Sequence, residues 1–298
     1  MNLKELSSPI RLYWDIGPTE RVDVAVCRRI AREAAANKFL SLQITETTPQ
    51  LSRSCLAALE ELKDTMMAVS FVASGPAFDV SALDYLKKHP VKAVFIAASS
   101  VRELDRIPQS STQAEARPET GVSFPVTRAN FRELPSVLAF CIDQRIRHLL
   151  LPMQRLLTGE RCFTFTGEER AELAARLERI EKPSWLRITI HDPVLWRAFF
   201  PKVEFPNGGC QAANTLLYIS PDADLYPCPT LPIKIGSLLR SSLSDLIHSA
   251  AKKDLRIGIL AVPSECGQCD TLGECKGGCR GRAYTQGNSL NAPDPSCR

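Results

Sequence analysis

Cys266-Gly267-Gln268-Cys269-Asp270-Thr271-Leu272-Gly273-Glu274-Cys275-Lys276-Gly277-Gly278-Cys279 spaces four cysteines as Cys-x2-Cys-x5-Cys-x3-Cys, and Cys297 follows eighteen residues later. A Cys-x2-Cys turn points two thiolates into one pocket, and Gly267 eases that turn. Glycines at 273, 277 and 278 let the next loop wrap closely round an inorganic core. Thiolates are natural ligands for iron–sulfur clusters and for structural zinc alike, so the spacing by itself reads as a metal site.

Two further cysteines stand upstream. Cys210 and Cys228 bracket the apolar runs Leu216–Ile219 and Leu225–Tyr226, which flank a Pro221-Asp222-Ala223-Asp224 turn. That is a hairpin pattern, and its strands would carry Cys210 and Cys228 back to neighbouring positions. Gly236-Ser237-Leu238-Leu239 and a helix over Ser242–Lys252 then lead to the main cysteine loop. Seven of the eleven cysteines thus lie between 210 and 297, while Cys27, Cys55, Cys141 and Cys162 are scattered singly and read as small buried hydrophobes. Seven ligands suit two adjacent clusters better than one four-coordinate zinc.

The rest of the composition narrows the setting. The net charge of +4 comes without blocks of like charge, which argues against a nucleic-acid footprint or a polybasic membrane patch. No apolar run approaches ~18 residues, and Met1–Ser8 lacks the layout of a signal peptide. The expected location is cytoplasmic, where clustered cysteines are metal ligands rather than disulfides.

The first two-thirds alternates strand-length apolar runs with amphipathic helices. Residues 10–16, 39–45, 66–73, 92–98, 121–127 and 148–153 read as strands. Val22, Val26, Ile30 and Ala34, then Leu51, Cys55 and Leu59, then Leu173, Leu177 and Ile180, mark helices. Parallel strands with crossover helices follow, either as a barrel or partial barrel or as a doubly wound open sheet. Pro108 to Pro118 interrupts the rhythm as a polar loop. Asp192-Pro193 is a good cap and first-turn pair for a short helix, and the prolines and glycines after it place a domain boundary near 201. His89, His148, His191 and His248 are isolated in sequence and read as satisfied or surface histidines.

The spacing Cys210-x12-Ala223-x4-Cys228, Cys266-x2-Cys269-x5-Cys275-x3-Cys279 and Cys297 resembles the SPASM domain that follows the catalytic barrel of many radical SAM peptide maturases. Ala223 departs from the family's usual turn glycine. The resemblance implies two auxiliary 4Fe–4S clusters, one on Cys266, Cys269, Cys275 and Cys297, the other on Cys210, Cys228 and Cys279 with its fourth iron open or otherwise filled. Arg280 and Arg282 flank Cys279 and either offset cluster charge or lie solvated at the surface. The implied fold is α/β: residues 1–200 a partial (β/α)6 TIM-like barrel of radical SAM type, residues 201–298 a small Cys-rich SPASM domain with a β-hairpin and helices.

In that family the first strand feeds a Cys-x3-Cys-x2-Cys loop whose three thiolates hold the cluster that binds S-adenosylmethionine. Aligned from Leu12-Tyr13-Trp14-Asp15-Ile16, those positions are Glu20, Val24 and Cys27. The Gly-Gly-Glu-Pro motif after the second strand becomes Glu46-Thr47-Thr48-Pro49. One thiolate cannot hold a site-differentiated cluster, so neither S-adenosylmethionine nor radical initiation is expected. The chain looks like the SPASM-only members of GeoRSP-type systems, which accompany a true radical SAM/SPASM enzyme. That implies a non-radical-generating partner for such an enzyme, for a ribosomal precursor peptide, or for both, acting in electron relay, substrate binding or scaffolding. Three alternatives differ in class: an enzyme using the open-site cluster, a zinc-stabilised interaction protein, and a free-standing ferredoxin-like carrier.

Overall fold

The structure, a computed structural model, describes residues 6, 8–17, 21–46, 48, 50–73, 80–105, 107, 118–156, 162–203, 205, 209–270 and 272–297. The polar loop expected between Pro108 and Pro118 lies largely outside them, as do Glu20, Thr47 and Pro49.

Seven strands run parallel in sequence order: β1 (Arg11–Ile16), β2 (Ser41–Glu46), β3 (Ala68–Ala73), β4 (Val91–Ala97), β5 (Glu119–Ser123), β6 (His148–Leu151) and β7 (Arg187–Ile190). β8 (Leu216–Ile219) adds parallel to the free side of β1, and β9 (Asp224–Tyr226) and β10 (Gly236–Ser237) extend that edge antiparallel. The helices between the parallel strands are α1 (Val24–Ala36), α2 (Arg53–Glu61), α3 (Val80–Leu86), α4 (Val101–Leu104), α5 (Leu134–Asp143) and α6 (Gly167–Glu178). After β7 come α7 (Pro193–Phe199), α8 (Leu243–His248), α9 (Ala250–Leu260), α10 (Leu272–Cys275) and α11 (Arg280–Gly287).

Local chemistry explains the helix starts. Asp23 and Ser52 accept the N–H groups of Ala25 and Cys55 at the heads of α1 and α2. Thr166 and Glu169 close a capping box on α6, and Asp192 caps α7 with Pro193 in its first turn.

Alternation along each strand separates two faces. Leu12, Trp14 and Ile16 of β1, with Leu42 and Ile44 of β2, pack outward against the helices, while Tyr13, Asp15, Gln43 and Thr45 face inward. On the inner face Val72, Phe95 and Leu150, from β3, β4 and β6, share a cluster. Tyr13 of β1 also meets His191, just beyond β7, at 3.0 Å, so the sheet curls until its first and last parallel strands approach, and of the two topologies open in the sequence the curled, barrel-like one is found. Two outer cores result: one joins β1–β4 to Leu217, Ile219, Leu225, Leu243 and Ile247 of the C-terminal region, the other fills the space around β4–β7 and α5–α7.

Three features depart from the sequence reading. β7 is a seventh parallel strand; its Arg-Ile-Thr-Ile run is short and exposed on one side, which hides it from a search for apolar runs. The helix expected over Ser242–Lys252 is two helices, because Ser249 is extended and caps α9. The C-terminal hairpin does not stand apart: β8 continues the barrel sheet, so backbone pairing runs across the boundary placed near 201.

Candidate metal centre

The β8–β9 hairpin turns at Ala223, which adopts φ +58° and is buried. Only a residue tolerating the left-handed region can stand there, the role a glycine fills without strain. The turn returns the chain so that Ala213 N–H donates to Pro227 O, which sets Cys210 and Cys228 on adjoining segments. Arg256 of α9 fastens the first of these by donating to Cys210 O at 2.7 Å and Ala212 O at 3.1 Å. The N–H groups of Thr230 and Leu231 point at the Cys228 thiol. Cys279 arrives from the other side at the head of α11, its N–H donated to Asp294 Oδ2 at 2.6 Å.

Cys210, Cys228 and Cys279 line a single cavity of about 90 Å³, walled also by Met153, Gln154, His191 and Asp192. Burial pushes the Cys228 thiol up to about 12, and burial with the nearby Asp294, Cys210 and Cys228 raises Cys279 as well. Such thiols give up their protons to a metal rather than to water. His191 is fixed by Tyr13 Oη at 3.0 Å, and burial lowers it to about 4, so its imidazole is neutral.

The other four cysteines form a second group. Cys266 closes the turn Ser264–Cys266, and Cys269 N–H donates back to Cys266 O at 3.1 Å. Gly267 sits in ordinary helical backbone at φ −60°, so this turn does not depend on it. Gly277 and Gly278 do matter: at φ +90° and +74° they fold the backbone over Cys275, Gly278 N–H donating to Cys275 O at 2.9 Å, and both N–H groups favour the Cys275 thiolate. A Cβ on Gly278 would stand 2.5 Å from that of Asp294. The Cys297 thiol donates to Cys275, and with those backbone donors it draws Cys275 down to about 5. Cys266 feels both Cys275 and Cys269. Cys275 also reaches the first cavity, so the two groups adjoin.

This donor set suits iron–sulfur cores. Among the described residues no three His, Cys, Asp or Glu side chains converge on one point as they would round a single ion. An iron–sulfur core takes thiolates as ligands, and the cysteines supply them in two adjoining groups. A second observation concerns charge. Arg280 is 1% exposed, and its Nε and Nη2 have no hydrogen-bond partner among the described residues. A buried cation with open donors is costly unless an anion meets it, and a thiolate-ligated cluster is anionic. Of the two arginines flanking Cys279, neither is a surface residue; Arg282, 2% exposed, is held by Asp294 and Asp192.

The barrel mouth is built differently. A cavity of about 830 Å³ opens at the C-terminal strand ends, bounded by Thr45, Val72, Ala97, Ser123 and the segment after β6. Across it Arg155 grips Asp15 of β1, Nε to Oδ2 at 2.5 Å and Nη2 to Oδ1 at 2.8 Å, and also reaches Thr45 Oγ1 at 3.0 Å. Tyr218 of β8 donates to Asp15 Oδ2 at 2.9 Å. Glu46 lines the same cavity with its carboxylate accepting from Thr48 and Ser52. Cys27 lies on the buried face of α1 beside Ser54, its thiol raised by burial, and Val24 is half-buried. Among the described residues there, Val24 and the buried Cys27 do not fit the three-thiolate set that a cluster binding S-adenosylmethionine needs.

The remaining candidates are structural. Cys55 and Cys141 are core residues, and burial pushes Cys141 up to about 12. Cys162 is half-buried on the mouth cavity, raised to about 12 by burial, within the electrostatic reach of Arg282 and Asp294. His148 meets Glu119 inside the barrel, His89 meets Tyr85 and Glu60, and His248 bonds Ser244 O. Sequence reasoning passed over Asp294, His191 and the Asp15–Arg155 pair. The Pro293-Asp294-Pro295 run just before Cys297 was the available signal for the first; nothing local marked the others.

Residues 210–270 match the model of the SPASM iron–sulfur cluster-binding domain. No curated protein matches the sequence. Among solved structures, Streptococcus suis SuiB is similar with TM-score 0.71 at 16% identity, over 99% of this chain and 78% of its own. SuiB bound to precursor peptide SuiA matches with TM-score 0.71 at 16% identity, over 98% and 76%. The enzyme anSMEcpe with bound AdoMet matches with TM-score 0.67 at 14% identity, over 97% and 90%. At these identities the likeness is one of fold. The chain therefore carries a SPASM iron–sulfur cluster-binding domain in a radical SAM/SPASM-like fold.

Proposed function

We propose that this chain is an iron–sulfur partner protein of a peptide-modifying radical SAM system: it holds two 4Fe–4S clusters, generates no radical of its own, and works on or beside another protein. The observation that carries this reading is a contrast within one molecule. Seven cysteines gather in two facing groups, whereas among the described residues the barrel mouth carries an Asp15–Arg155 ion pair and the single thiol of Cys162, and Cys27 is packed in the core under α1. Cys266, Cys269, Cys275 and Cys297 would hold one cluster; Cys210, Cys228 and Cys279 would hold three irons of the other. Bound, the clusters supply one-electron transfer. The chain's own residues supply the dry pocket, the N–H groups aimed at sulfur, and the buried arginines.

The mouth supports the second half of the proposal. Its cavity combines polar strand ends with Val126, Met153 and Phe163, and it shares Met153, Gln154 and Phe163 with the cysteine cavity. A peptide segment seated there would lie one layer of side chains from a cluster. SuiB, of the same fold, has been seen with precursor peptide SuiA, which makes a peptide the natural occupant to test.

The test is co-purification from the native host without oxygen, followed by mass spectrometry. Retention of a radical SAM enzyme or a precursor peptide is the expected result. A monomer that retains neither would replace the partner reading with that of a free-standing electron carrier.

A further inference from the structure

Arg280 and Arg282 are two residues apart on α11, and the structure gives them different work. Every guanidinium nitrogen of Arg282 meets a carboxylate: Nε and Nη2 donate to Asp294, Nη1 to Asp192. Arg280 uses only Nη1, which donates to Leu290 O at 3.0 Å and Ala292 O at 3.2 Å. Those two bonds fix the guanidinium plane and leave Nε and Nη2 buried without acceptors among the described residues.

The position of that plane is defined by its neighbours. A Cβ on Gly277 would lie 3.0 Å from Arg280 Nη2 and 3.2 Å from Pro263 Cδ. The guanidinium therefore sits between the residue two beyond Cys275 and the residue three before Cys266. It exerts a charge effect on the Cys266 thiol. Although Arg280 follows Cys279 in sequence, its side chain belongs with the other cysteine group. Gly277 leaves the room, and its own N–H serves Cys275.

We propose that Arg280 donates hydrogen bonds from Nε and Nη2 to the sulfur of the cluster held by Cys266, Cys269, Cys275 and Cys297, and so raises the reduction potential of that cluster selectively. The inference rests on the two-cluster reading above. A reduced cluster carries one more negative charge than an oxidised one, so a fixed cation with donors aimed at its sulfur favours the reduced form. The effect is local because Arg282, nearer in sequence to the middle of α11, has its charge matched by two carboxylates.

The experiment uses the whole chain, purified without oxygen and with its iron counted. Arg280→Gln and Arg280→Lys are compared with wild type by potentiometric titration followed by electron paramagnetic resonance. The expected result is two clusters in every protein, one midpoint shifted downward in Arg280→Gln, a smaller shift in Arg280→Lys, and the other midpoint unmoved. Wild-type protein labelled with 15N-arginine should show a nitrogen coupling on one reduced cluster, a readout that does not depend on the variants folding. Two clusters with unchanged midpoints and no nitrogen coupling would overturn the inference and assign the open donors to water. Wild-type protein without iron would instead remove the two-cluster reading beneath it.

Discussion

Arg282 and Asp294 form a two-point ion pair inside the C-terminal region, Nε to Oδ1 at 2.9 Å and Nη2 to Oδ2 at 2.6 Å, with the carboxylate fully buried. The same carboxylate accepts the N–H groups of Cys279 and Ser296, so one side chain places a cysteine of each group. Through Asp192, Arg282 also ties this arrangement to the cap of α7 in the barrel.

Breaking that pair should be severe. Asp294→Asn removes the fully buried one of the two carboxylates that match the Arg282 guanidinium and is expected to cost up to about 3–5 kcal/mol, measured by denaturant unfolding. Iron occupancy should fall at both centres, since Cys279 and Cys297 lose a common anchor.

Acidity provides a second reading of the same contact. Burial would raise the Asp294 carboxyl, but Arg282 and the two N–H donors outweigh it and hold it below its ordinary value. A carboxyl lower in the folded than in the unfolded chain stabilises fully above the unfolded value, near pH 3.9, and ceases to as pH falls through the folded one. The gap in stability between wild type and Asp294→Asn should therefore be constant at neutral pH and close below about pH 4. A gap that persists at lower pH would contradict this account of the pair.

Cysteine substitutions separate ligands from packing. Cys269→Ser should remove about half the iron, because it breaks a full four-thiolate site. Cys27→Ser should leave iron unchanged and lower stability by about 1–3 kcal/mol, as a buried hydroxyl replaces a thiol on α1. Iron analysis beside thermal unfolding distinguishes the two outcomes.

The hairpin turn makes a prediction of opposite character. Ala223→Gly relieves left-handed strain of about 1–2 kcal/mol and loses a buried methyl worth about 0.8 kcal/mol, so unfolding should show little net change. Ala223→Val should destabilise, since a β-branched residue is poorly accommodated at φ +58°. A tolerated valine would mean the turn is not held as described.

Much of this was legible beforehand, for identifiable reasons. Strand-length apolar runs and the i, i+4 stripes gave six of the parallel strands and the helices α1, α2 and α6, because burial on one face leaves a periodic trace. β7 left none, being short and half-exposed, and Ser249 split a helix with a residue that also occurs inside helices. Cysteine spacing marked the candidate metal site because ligand geometry is written locally. Arg155 and Asp15 lie 140 residues apart, and no periodicity announces a pair that only the curl of the sheet brings together. The separate roles of Arg280 and Arg282 likewise depend on burial and direction, which sequence proximity to Cys279 does not convey.

The central claim, two clusters in the C-terminal region and none at the barrel mouth, is tested most directly by counting iron in protein purified without oxygen. The account predicts brown protein with about eight irons per chain. About twelve irons would place a third cluster where Asp15, Val24 and Cys27 stand, and colourless protein with stoichiometric zinc would contradict the cluster assignment itself.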